Sequence, residues 1–137
     1  MKIVTLQVGP IGTNCYILCD EEAAVCAVID PGDEPRRIAA AIAGTGCTPE
    51  MILLTHGHFD HYTGVGGLLE LYPALPVYIH RADTADKPGG DYREILASLK
   101  RLAQLPGDYT CYPGHMEPTT LSFERQRNPY MKQGMTL

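Results

Sequence analysis

Seven residues, Thr55-His56-Gly57-His58-Phe59-Asp60-His61, set three histidines and an aspartate directly behind the apolar run Met51-Ile52-Leu53-Leu54. The run reads as a buried strand and the residues from Asp60 or His61 toward Tyr72 as a helix. The cluster therefore belongs at a strand's C-terminal end, as in a βαβ-like unit that presents a site there. Imidazole and carboxylate are donors that suit zinc, iron or manganese. Crowded together without a cation they leave partial charges poorly satisfied, so the stretch points to a metal site.

The chain around it supports an α/β reading. Residues 2–8 alternate and are rich in β-branched side chains; a second strand is expected at Cys15 to Cys19 and a third at Ala23 to Ile29. The turns Gly9-Pro10 and Asp20-Glu21-Glu22 between them make an antiparallel meander. Asp33-Glu34-Pro35 opens a helix through Ile38, Ala41 and Ile42 that stops near Gly44 and Gly46, with Asp33 as its cap. Pro49 precedes the strand at 51–55. The glycines at 64, 66 and 67 lie inside the helix that runs to Tyr72 and read as close helix packing, because the spacing is wrong for a phosphate loop. Pro76 to His80 is a short strand and residues 81–91 a loop. Asp91 caps a helix carrying Ile95, Leu96, Leu99, Leu102 and Ala103 on one face. A strand at 109–112 leads to Pro113-Gly114-His115, and a last helix starts near Thr119 or Thr120 and ends before Pro129.

With 137 residues the chain fits a single domain, and a net charge of -5 gives no support for a nucleic-acid partner, which needs a basic face. Five cysteines, Cys15, Cys19, Cys26, Cys47 and Cys111, include no CxxC pair. They read as reduced, mostly buried thiols. No apolar run approaches the roughly 20 residues of a membrane span and no signal-peptide pattern opens the sequence, so a cytoplasmic location is expected.

His56 and His58 flank Gly57, which lets the backbone bend so that both rings converge on one ion. Asp60 and His61 follow a further turn and face a neighbouring position, and His115 from another strand end closes the site from the opposite side. A metal with three protein ligands keeps an open position for water, whose pKa zinc lowers to about 7, and it polarises a substrate oxygen. That is hydrolase chemistry.

The stretch from Thr55 to His61 resembles the HxHxDH signature of the metallo-β-lactamase superfamily. Further stretches are similar to its glyoxalase II-like (hydroxyacylglutathione hydrolase-like) branch: Gly12 to Leu18, Val28 to Gly32, Gly89 to Leu105, and Tyr112-Pro113-Gly114-His115 through Asn128-Pro129. The resemblance implies an αββα sandwich and Zn2+ as cofactor, one ion or two per chain, with iron or manganese as alternatives. His56 and His58 then serve metal one, and Asp60, His61 and His115 serve metal two. Asp60 is also the catalytic carboxylate, and Asp30 stands behind the ligands and orients one. The implied substrate is a small-molecule thioester or ester, cleaved by metal-bound hydroxide.

The chain departs from that pattern after His80. The family continues there through a turn whose histidine completes site one and a strand whose aspartate bridges both metals. Here Arg81-Ala82-Asp83 passes almost directly to Lys87-Pro88-Gly89, so a family segment is missing between about 83 and 89, with much of the second sheet. Asp83, Asp86 and His80 are the candidate substitutes, although loop carboxylates are usually solvated and a strand-end histidine is usually structural. Met116 also stands where a glycine is common. Losing a sheet bares the inner face of the other, so a homodimer covering it is expected. The competing reading is a degenerate metal-binding dimeric scaffold with little or no activity. An oxidoreductase ranks last, because the family's di-iron reductases place Glu at the position of His58.

Overall fold

The computed structural model describes residues 1–80 and 92–137. The expected loop at 81–91, the Asp91 cap, Asp83, Asp86 and the boundary at 83–89 lie outside the described residues. The chain divides into two compact units, Met1–Asp86 and Lys87–Leu137.

The first unit contains β1 (Lys2–Val8), β2 (Thr13–Asp20), β3 (Val25–Ile29), α1 (Pro35–Thr45), β4 (Thr48–Leu54), α2 (Phe59–Tyr62), α3 (Val65–Leu71) and β5 (Val77–Ile79). The strands form one mixed sheet in the order β1-β2-β3-β4-β5. The first three are antiparallel, as the meander predicts, and β3/β4 and β4/β5 are parallel. Two left-handed glycines, Gly9 at φ 71° and Gly12 at φ 70°, turn the chain from β1 into β2, where a side chain would be strained. The crossover from β3 to β4 runs through α1, ended by Gly46 at φ 73°.

The core lies between one face of this sheet and the helices. Ile17, Val28 and Ile52 from three strands meet Ile38 and Ile42 of α1 and Leu68 of α3, all essentially inaccessible to water, and each contributes roughly 1.5–3 kcal/mol of burial. Cys15, Cys19, Cys26 and Cys47 are free thiols buried here. Burial pushes the Cys15 thiol up to about 12 and the Cys26 thiol up to about 11, so these cysteines pack as small apolar groups. α3 rests on the start of α1, because a Cβ on Gly67 would come 2.3 Å from Pro35 Cγ. Gly64 likewise abuts the Pro31 carbonyl at 2.7 Å, whereas Gly66 faces open space.

The second unit contains α4 (Tyr92–Ala103), β6 (Thr110–Cys111), β7 (Thr119–Thr120), α5 (Leu121–Arg127) and α6 (Pro129–Met135). Gly134 brings α6 onto α4, with the Leu96 carbonyl oxygen 2.6 Å from where its Cβ would be. The Arg125 guanidinium gathers carbonyls from the last residue of α4 and the turn after it, donating to Ala103 at 2.8 Å, to Gly107 at 2.9 Å and to Leu105. Asp108 receives both the amide and the hydroxyl of Ser122 at 2.7 Å. The α/β class is as expected. The first unit holds one five-stranded sheet, and the second unit's sheet is only the β6–β7 pair among the described residues.

Several boundaries differ from the sequence reading. β2 begins at Thr13, and β4 takes in Pro49. Ala23 and Ala24 belong to a turn in which Ala24 adopts φ 54°. The position before α1 is Glu34, left-handed at φ 53° and without a side-chain cap bond; Asp33 instead accepts from the Glu34 amide. The helix expected to run unbroken to Tyr72 is two helices, split where Gly64 donates to the Pro31 carbonyl. After α5, Asn128 caps a further helix, α6, which opens on Pro129 and which the reading of Pro129 as a terminator missed.

Candidate metal centre

Asp30 and Thr55 sit at the C-terminal ends of the adjacent parallel strands β3 and β4, and their backbones are tied there by Asp30 N donating to Leu53 O at 3.0 Å. Asp30 is buried and left-handed, at φ 51°, a backbone state that aspartate tolerates better than most residues. The turn aims its carboxylate back under the histidine loop. Oδ1 accepts from the Thr55 amide at 2.8 Å, and Oδ2 accepts from the Thr55 hydroxyl at 2.6 Å and from His61 Nδ1 at 2.9 Å.

His61, at the buried end of α2, is only 2% exposed and stands between two carboxylates, with Nε2 3.3 Å from Asp60 Oδ2. If Nδ1 gives its proton to Asp30, Nε2 of the neutral ring turns its lone pair toward Asp60. A proton or a metal ion on that side reconciles the two acceptors. Asp60 is held in turn by the Thr13 hydroxyl, which donates to Oδ2 at 2.8 Å.

His56 and His58 form the other half. Thr55 Oγ1 lies 2.9 Å from His56 Nδ1, and His56 Nε2 lies 3.0 Å from His58 Nδ1. The His56 ring also packs 4.1 Å from the His61 ring, centroid to centroid. Partial burial pushes the His56 imidazole below its ordinary value, and the neighbouring His61 and His58 add to this against the pull of Asp30 and Asp60. A neutral imidazole is the state that ligates a metal. The His56 and His58 rings beside His61, with a buried carboxylate fixing the His61 ring, bring together imidazole and carboxylate donors of the kind that suits zinc, iron or manganese.

The first unit thus brings together His56, His58, Asp60, His61 and Asp30. His80 follows β5 and is exposed, and His115 lies in the second unit, exposed in the turn between β6 and β7. Beside it Met116 takes φ 72°, the left-handed state that its glycine-like position suggests. Sequence reasoning missed the two threonines. Thr55 is adjacent to the histidines, but Thr13 reaches Asp60 across 47 residues, and no spacing rule announces such a contact.

Comparison with known proteins places this arrangement. The family model described as metallo-beta-lactamase superfamily matches residues 8–95. The chain is 35% identical over 126 residues to a probable metallo-hydrolase, YqgX, of Bacillus subtilis (strain 168), covering 85% of this chain and 58% of the relative. It is 39% identical over 104 residues to a hydroxyacylglutathione hydrolase of Klebsiella pneumoniae, covering 74% of this chain and 39% of that protein. The chain therefore spans less than two thirds of the length of these relatives. Among solved structures, TTHA1623 in a di-iron-bound form superposes with a TM-score of 0.82 at 28% identity, covering 95% of this chain and 100% of that one. The motif, its place at the strand ends and the family match agree: the chain belongs to the metallo-β-lactamase superfamily.

Proposed function

We propose that the chain is a metal-dependent hydrolase acting on a small thioester or ester, of the kind named in its hydroxyacylglutathione hydrolase relatives. The observation that carries this is His61 held between Asp30 at 2.9 Å and Asp60 at 3.3 Å, with His56 packed on its ring. When bound, a divalent ion supplies Lewis acidity and lowers the pKa of water to about 7. Asp60, His61 and, on the strength of its motif, His115 are the proposed ligands of one ion, and His56 and His58 of another. Asp30 fixes the His61 ring, and the Asp60 carboxylate is the group best placed to hold a proton during turnover. Zinc is the first candidate; the di-iron form of TTHA1623 makes iron the next, then manganese.

The test is metal content per chain together with thiol release from a hydroxyacylglutathione before and after chelation. The expected result is bound metal, chelator-sensitive thiol release and loss of both in Asp60→Ala. Metal-free protein that cannot be reloaded overturns the proposal.

A second reading, a metal-binding scaffold without turnover, is favoured by the sequence passing almost directly from Arg81-Ala82-Asp83 to Lys87-Pro88-Gly89, where the family pattern has a further histidine and a bridging aspartate. Metal retained without thiol release decides for it. In either case we read residues 1–137 as one domain that pairs with a second copy. Across the non-core face of the five-stranded sheet, the rows Ile3-Leu18-Ala27-Met51 and Tyr16-Ile29-Leu53-Tyr78 are apolar, and their ends, Ile3 and Tyr78, are exposed. A monodisperse monomer by light scattering overturns the pairing. No helix among the described residues is long and apolar enough to cross a membrane, and the five free thiols suit the reducing cytoplasm.

A further inference from the structure

We propose that Thr13 is a positioning residue for Asp60, setting its carboxylate toward His61 before any metal arrives; this rests on the metal-dependent reading above. Thr13 is the first residue of β2, is 1% exposed, and gives its hydroxyl proton to Asp60 Oδ2 at 2.8 Å. That same oxygen is the one 3.3 Å from His61 Nε2.

A carboxylate oxygen offers more than one lone-pair direction, so one can take the hydroxyl while another is left for a cation. The bond does two things. It removes the rotational freedom of a side chain on a four-residue helix, α2, which is too short to hold its own geometry. It also anchors the position in the sheet, since Thr13 sits in the β1–β2 register opposite Val8. Asp30 does the corresponding work on the far side of the His61 ring. The two ligands of the pair, Asp60 and His61, are therefore held by two separate strands, β2 and the end of β3.

The experiment compares Thr13→Val, which keeps shape without a donor, and Thr13→Ser, which keeps the donor. Zinc affinity is measured by chelator competition, with metal per chain and the melting temperature of the metal-free protein. Thr13→Val is expected to lower zinc affinity by about 10–100-fold with the metal-free melt retained, and Thr13→Ser to stay within about threefold of wild type. If Thr13→Val does not fold, Thr13→Ala removes the same donor without steric demand. Wild-type affinity in Thr13→Val, or an equal loss in Thr13→Ser, overturns the inference alone. A wild-type chain that binds no zinc, iron or manganese overturns the metal-dependent reading, and this inference with it.

Discussion

Gly32 and Asp60 touch through their backbones: a Cβ on Gly32 would lie 1.8 Å from the Asp60 carbonyl oxygen. No side-chain rotation relieves such an overlap, because the obstacle is main chain. Gly32→Ala must push α2 off the β3–α1 turn, at a cost of roughly 3 kcal/mol. Denaturant unfolding is expected to show that loss, and metal stoichiometry to fall with it, since Asp60 and His61 move as one piece. Unchanged stability would show that the turn yields instead.

Asp30→Asn tests the buried carboxylate. The amide has one acceptor oxygen in place of two, while the Thr55 amide, the Thr55 hydroxyl and His61 Nδ1 all converge on Asp30. Leaving one of these buried groups without a partner costs about 1–3 kcal/mol, and the loosened His61 ring is expected to lower metal affinity by about 10–100-fold. Thermal melting of the metal-free protein separates the first effect from the second.

Met116 holds φ 72° with an exposed side chain that gains little from packing. Relieving the left-handed strain with Met116→Gly is expected to stabilise the chain by about 1 kcal/mol, after allowing for glycine's extra freedom when unfolded. Equilibrium unfolding in urea measures it, and a destabilised variant would mean that the Met116 side chain contributes more than it strains.

Asp108 gives the second unit a pH signature. The Ser122 hydroxyl and amide, then the Tyr109 amide and Arg125, hold its carboxyl below the ordinary 3.8. A depressed carboxyl adds stability that is fully present above the unfolded value and is lost as pH falls through the lower folded one. The wild type is therefore expected to lose stability below about pH 4, and Asp108→Asn to lose less over that same interval. Parallel acid-unfolding curves would contradict this.

The candidate site was legible in the sequence to the extent that its residues are neighbours. His56 to His61 lie on one loop, and the apolar run before them sets the strand end, so periodicity and donor chemistry suffice. What escaped depends on contacts between distant residues or on backbone states. Thr13 meets Asp60 only after β2 has paired, Gly64 breaks a helix because the Pro31 carbonyl reaches its amide, and Pro129 opens a helix because Asn128 caps it. Local pattern put Gly64 inside the helix and Pro129 past the end of one, because it cannot weigh such partners.

The parallel neighbours β3 and β4 also decide when the centre can assemble. Asp30 and Thr55 are 25 residues apart, and the segment between them is mostly one helix and one strand. Closing a loop of that length carries a modest entropic cost. The carboxylate and the histidine loop therefore meet as soon as this crossover docks, and an ion bound by the loop is expected to favour that docking through the His61 ring that Asp30 holds. Order of addition then matters in the refolding tube: metal present from the start should speed recovery of the first unit, whereas metal added afterwards can only slow its unfolding.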